Sequence, residues 1–109
     1  LLPVMLDHVN NGKIELEQLI KFICENPVKI FGIQNKGYIK IGYDADITIV
    51  DLNRYIEIKN ENIQSKCGWS PYNGHKFKGT PVLTVINGKI KMNDGKLVGE
   101  PEGMPLIFK

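Results

Sequence analysis

The chain has 109 residues, of which 42% are hydrophobic and 24% charged, and its formal net charge at pH 7 is +2. That length supports one domain with a modest core, and the composition is that of an ordinary soluble globular protein. So small a charge, scattered rather than banked, argues against a nucleic-acid partner; no apolar run approaches the roughly 18 residues of a membrane span.

The opening LLPVML is followed at once by Asp7 and lacks a basic leader and a small-residue cleavage site, so it does not read as a signal peptide. It also lacks an initiator Met and reads as the continuation of something longer. Leu2, Val4, Met5, Leu6 and Val9 make a short apolar face and predict a helix over residues 3–11, stopped at Asn11 and Gly12. Ile14, Leu16, Leu19, Ile20, Ile23 and Cys24 give the three-and-four spacing of an amphipathic helix over 15–25, with Glu15 and Glu17 at its positive end. Asn26 and Pro27 read as cap and first residue of one further turn, Val28 to Phe31, closed by Gly32. The whole is a helical hairpin with a short tail.

The rest is strand-rich. Residues 36–52, KGYIKIGYDADITIVDL, predict an extended lead-in, a turn at Gly42 and a strand too apolar to face water, rich in β-branched Ile47, Ile49 and Val50. Ile56 and Ile58 alternate with Tyr55, Glu57 and Lys59 as in a second, half-buried strand. Residues 60–78 read as a long polar loop carrying the only Trp. A strand over 81–86 then turns at Asn87-Gly88, the strongest two-residue hairpin signal present, into a return strand over 89–93; Asp94-Gly95 offers a second tight turn toward Leu97. The Pro-containing run after Val98 cannot be a central strand. Helices first and short antiparallel strands afterwards argue for α+β or for pieces of two domains, and the second option fits better, since no strand precedes the helices for them to cover.

The residues show no active site. His8 and His75 are far apart, and no His-x-His, HExxH or Cys-x-x-Cys is present. Cys67 and His75 could share an ion, but two ligands do not make a zinc site. Asp44 and Asp46 are spaced as a carboxylate pair, but a turn cap at Asp44 followed by a strand opener at Asp46 is the simpler reading; Asp51 ends the strand. Ser65 and Ser70 have no base beside them. Lys66, Trp69, Tyr72, His75, Lys76, Phe77 and Lys78 interleave aromatic and basic groups as single-strand binders do, but a loop pinned to a domain face by Trp69 and Phe77 is the simpler reading. Cys24 and Cys67 are expected to be reduced thiols of a cytoplasmic protein.

The wording of several segments adds a resemblance. Residues 25–32, ENPVKIFG, resemble the Asn-Pro-Ala-Lys-x-Phe-Gly helix of cyclic amidohydrolases, and residues 36–52 resemble the segment by which those enzymes leave their barrel for a small β-domain. Residues 65–74, SKCGWSPYNG, with KGTPV at 78–82 and VINGKI at 85–90, are more discriminating: they resemble the corresponding run of the dihydroorotase family, particularly its monofunctional bacterial type. Residues 1–6 are similar to that family's segment after the last catalytic strand, and Thr80 stands where a Trp is usual.

The resemblance implies a parent α/β protein, a metal-dependent (β/α)8 barrel with a composite β-sandwich, of which this chain is the C-terminal piece. Residues 1–33 would be the last barrel helix and the helix after it, and residues 34–109 the C-terminal part of the composite β-domain. It implies a zinc hydrolase interconverting dihydroorotate and carbamoyl aspartate in pyrimidine synthesis, with every zinc ligand, catalytic residue and substrate-binding residue upstream of Leu1. No catalytic, substrate-binding or metal residue is therefore carried onto this chain, which is expected neither to hold zinc nor to turn over substrate alone. The implied partners are the N-terminal and barrel portion of the same enzyme, a second copy in a homodimer, and aspartate carbamoyltransferase, with no nucleic acid and no membrane. Alternatives are an allantoinase or dihydropyrimidinase type, a non-catalytic dihydroorotase-like scaffold for aspartate carbamoyltransferase, and a free-standing β-domain that binds a partner.

Overall fold

A computed structural model describes residues 1–109. Helix α1, Leu2–Asn10, starts with Pro3 in its first turn, where a missing N–H costs nothing. It ends at Asn11, and Gly12 follows at φ +69°. Helix α2, Leu16–Ile20, is opened by Gln18, whose side-chain carbonyl accepts from the Glu15 N–H at 3.2 Å.

The expected break before Asn26 is absent. Glu25 and Asn26 are both right-handed helical, and α2 runs through a π-helical segment, Lys21–Glu25, into α3, Asn26–Phe31. The physical reason is Pro27, which has no N–H and whose ring collides with the carbonyl four residues back in a regular helix. One widened turn, in which the Asn26 N–H reaches Lys21 O, lets the helix pass the proline without stopping. Gly32 then closes α3 in the left-handed conformation, as expected.

Strands β1 (Ile47–Glu57), β2 (Lys76–Ile86), β3 (Lys89–Asn93) and β4 (Lys96–Leu97) form one antiparallel meander in that order. The hairpin is as expected: β2 and β3, Lys89–Asn93, pair Ile86 with Lys89 and Val85 with Ile90 across Asn87 (φ +50°) and Gly88 (φ +75°). Asp94 and Gly95 repeat this left-handed pair before β4, Lys96–Leu97.

Three strand expectations need correction. The two strands expected over 47–52 and 55–59 are one, β1, Ile47–Glu57, bent by an irregularity between Asp51 and Tyr55. Asp51 does not end the strand: its carboxylate accepts the N–H groups of Asn53 (2.9 Å) and Arg54 (3.2 Å), so the chain bulges and resumes pairing. Strand β2, Lys76–Ile86, begins earlier than expected, so Lys76, Phe77 and Lys78 lie in the ladder and not in the loop. Finally, the apolar strand is not buried within these residues, since Ile47 and Ile49 are 36% and 50% exposed.

The core is small: Leu6, Leu19, Phe77, Gly79 and Thr80 are the buried residues. It sits where α1 crosses β2. No helix is long and apolar enough to cross a membrane.

Candidate functional site

The most elaborate polar arrangement lies at that crossing. The bulge opposite Gly79 withdraws backbone groups from the β1–β2 ladder, and such groups need partners when they are taken from water. Helix α1 supplies them. Asp7 Oδ1 accepts the Lys78 N–H at 2.8 Å, and Asn10 Nδ2 donates to Leu52 O and Lys78 O, each at 2.8 Å. Asp7 and Asn10 are three apart and so share one helix face, beside Leu6, which fills the space above Gly79.

A second cluster joins the lead-in to the hairpin. Lys36 Nζ lies 2.9 Å from Asp44 Oδ2 and also pairs with Asp46 Oδ2. The other oxygen of Asp46 accepts the Asn87 N–H at 2.8 Å, and Gly88 N–H donates to Ala45 O at 3.0 Å. The hydrogen bond from Lys36 and then that from Asn87 hold the Asp46 carboxyl below its ordinary value; the same carboxylates raise Lys36. With both Asp46 oxygens occupied the pair is a structural tie, and the Asp44 carboxylate meets Lys36 where a turn cap was expected.

The long loop is braced from inside. Asn73 Oδ1 accepts from the Asn60 N–H at 2.8 Å, Asn60 Oδ1 from the Ser70 N–H at 2.9 Å, and Ser70 Oγ from the Tyr72 N–H at 3.1 Å. Phe77 is buried beneath it, with His75 stacked at 6.2 Å and Tyr72 edge-on at 5.6 Å between ring centres. Phe77 thus pins the loop as expected, but Trp69 does not, being 61% exposed. Ser65 Oγ lies 3.0 Å from Cys67 Sγ, and this hydroxyl, followed by the Trp69 backbone, lowers the thiol from its ordinary value. Burial raises Cys24 instead.

The remaining candidates stay apart. His8 lies half-buried on α1 with Nδ1 unpartnered. Cys67 and His75 bind different neighbours, and no group of three or more His, Cys, Asp or Glu residues is placed to hold a metal ion. The donor set here does not fit a zinc centre. Sequence reasoning missed Asp7, Asn10, Asn60 and Asn73; the two polar residues on the face that carries Leu6 were the available signal for the first pair.

A large part of the apolar surface has no partner within these residues. Ile39 and Ile41 in the lead-in are 92% and 101% exposed, and Phe22, Ile30 and Phe31 project from the second helix. Between that helix and the lead-in runs an open cleft of about 530 Å3, lined by Ile20, Ile23, Cys24, Val28, Tyr38 and Thr48. Uncovered apolar area on this scale marks an interaction face.

Comparison with known proteins agrees with that incompleteness. The chain is 43% identical over 107 residues to the dihydroorotase of Pyrococcus furiosus, which covers 98% of this chain and 26% of that protein. It is 39% identical to the Pyrococcus abyssi dihydroorotase over 95% of this chain and 26% of the relative. Among solved structures, the L-hydantoinase from Arthrobacter aurescens superposes with a TM-score of 0.86 at 37% identity, over 91% of this chain and 22% of that one. The chain therefore spans about a quarter of the length of the curated relatives it matches. The amidohydrolase family profile matches residues 2–91, most of the chain, and the chain belongs to the amidohydrolase family.

Proposed function

We propose that this chain is the C-terminal part of a dihydroorotase, and that its own contribution is structural. Residues 1–33 are the last barrel helix and the helix after it, and residues 34–109 the C-terminal part of the composite β-domain. The observation that carries this reading is the match along 98% of the chain, at 43% identity, to a dihydroorotase of which it spans 26%. The run SKCGWSPYNG at 65–74 supports dihydroorotase over other cyclic amidohydrolases. The exposed Ile39, Ile41, Ile47 and Ile49 support a neighbour that covers this face, here the remainder of the same enzyme.

In this reading the complete protein is a cytoplasmic zinc hydrolase, in which residues outside 1–109 would hold the metal and the metal would supply Lewis-acid chemistry for amide hydrolysis. All ligands and reacting groups lie outside residues 1–109. Within them, Asp7 and Asn10 fix α1 to the sheet, and Lys36, Asp44 and Asp46 fix the lead-in that brings the chain to it. The further partners of the complete enzyme are a second copy and aspartate carbamoyltransferase.

The likeness to L-hydantoinase favours one second reading, a hydantoinase or dihydropyrimidinase type. Expression of the complete reading frame with zinc, followed by assay of dihydroorotate, carbamoyl aspartate, hydantoin and dihydrouracil, separates them. Interconversion of the first two supports the proposal; turnover of hydantoin or dihydrouracil alone replaces it with the second reading. A complete protein that binds no zinc and turns over none of the four is a non-catalytic homologue.

A further inference from the structure

The helical arm formed by α2, the π segment and α3 packs on no strand; among the helices and strands it touches only α1. Two other features hold it. The first is Gly37, which closes on it so tightly that a Cβ there would stand 2.5 Å from Val28 Cγ2. The second is the end of the chain: Lys109 N–H donates to Gly32 O at 2.8 Å, Gln34 N–H donates to Ile107 O at 2.9 Å, and Ile33 and Phe108 form a β-bridge. These bonds sit where α3 stops.

The same terminal segment is gripped at its other end by β3. Lys89 Nζ meets Glu102 Oε1 at 2.7 Å, while Lys91 Nζ takes Glu102 Oε2 and donates to Glu100 O at 2.8 Å. The Val98 N–H donates to Lys91 O at 2.9 Å. An isolated exposed ion pair contributes little, but here one carboxylate holds two ammonium groups. Lys91 is only 16% exposed at its side chain, so salt screens it less.

We infer that residues 98–109 are a strap that fastens the helical arm to the sheet, with Glu102 between Lys89 and Lys91 as its clasp. Its span runs from β3 to the end of α3, two elements that do not otherwise touch. The segment can serve this purpose because its prolines and glycines keep it out of any ladder until Phe108. The inference does not depend on the proposed activity, since its readout is amide exchange and not turnover.

The test is hydrogen exchange by mass spectrometry on the full-length protein, comparing wild type, Glu102→Lys, and a triple variant with Lys89→Glu, Lys91→Glu and Glu102→Lys that rebuilds the clasp with reversed charge. Glu102→Lys should speed exchange in peptides from 98–109 and from 16–34 by about fivefold or more, leave 47–57 and 76–93 unchanged, and be reversed by the triple variant. Faster exchange in the tail with none in 16–34 would overturn the inference. So would an unchanged tail, or a rise spread equally over the sheet.

Discussion

Gly79 lies directly against Leu6: a Cβ added to the glycine would stand 2.6 Å from the Leu6 Cβ. Gly79 also has φ +110°, a conformation that side chains rarely adopt. The close approach and the backbone geometry both exclude any larger residue, and together they let α1 descend far enough for Asp7 and Asn10 to reach the strands. Gly79→Ala should therefore destabilise the protein by about 2–4 kcal/mol, from overpacking and strain combined. Urea denaturation of wild type and variant measures this directly; a change near zero would mean that α1 does not seat on β2 as described.

Asp7 and Asn10 satisfy backbone groups that the bulge leaves without ladder partners, so their loss strands those groups. Asp7→Ala and Asn10→Ala should each cost about 1–3 kcal/mol. Both side chains serve Lys78, one at its N–H and one at its carbonyl, so the double variant should cost less than the two single changes added together. A double-mutant cycle in chemical denaturation gives the coupling; strict additivity would argue against one shared junction.

The Lys36–Asp46 tie makes a prediction about pH. Asp46 is depressed in the folded chain by its hydrogen bonds from Lys36 and Asn87. A depressed carboxyl contributes stability that is present above its unfolded value, about 4, and is lost as pH falls through its lower folded value. Lys36 is raised by the same contacts, so its share is complete below its unfolded value, about 10.4, and is lost as pH rises past its folded one. Stability should thus fall on acidification below about pH 4, and Asp46→Asn should flatten that limb. Denaturation midpoints from pH 2.5 to 7 check it, and an acid limb of equal slope in the variant would remove Asp46 from the account.

How far these features could be read in advance depended on whether the signal was local. Asn87-Gly88 and Asp94-Gly95 announce their turns because only a few residue types tolerate the left-handed pair such a hairpin needs. Asp51 misleads for the same kind of reason: a short acid at the end of an apolar run is a common terminator, but here it folds back on Asn53 and Arg54 and lets β1 continue. Pro27 misleads too, because a π turn lets a helix absorb it. Ile47 and Ile49 suggested a buried strand because β-branched apolar residues favour one, yet among the 109 residues nothing covers them and both are exposed. For Asp7 and Asn10 the only local signal was their place on the helix face of Leu6, since their partners, Leu52 and Lys78, lie more than 40 positions away.

The last prediction concerns residues 1–109 prepared alone. Strand β1 pairs with β2 on one side only, so its other side presents free N–H and C=O groups to solvent. Ile47 and Ile49 on that edge, Ile39 and Ile41 in the lead-in, and Phe22, Ile30 and Phe31 on the helical arm are all exposed apolar groups. An unprotected edge flanked by apolar side chains is a template for pairing, and no proline interrupts β1. The isolated segment should therefore self-associate at micromolar concentration, and Ile47→Lys with Ile49→Lys should shift it toward monomer by placing charge on the edge. Sedimentation velocity across a concentration series reads both effects. A compact monomer for the unmodified segment would show instead that these residues need no cover, and would favour a free-standing domain over the C-terminal part of an enzyme.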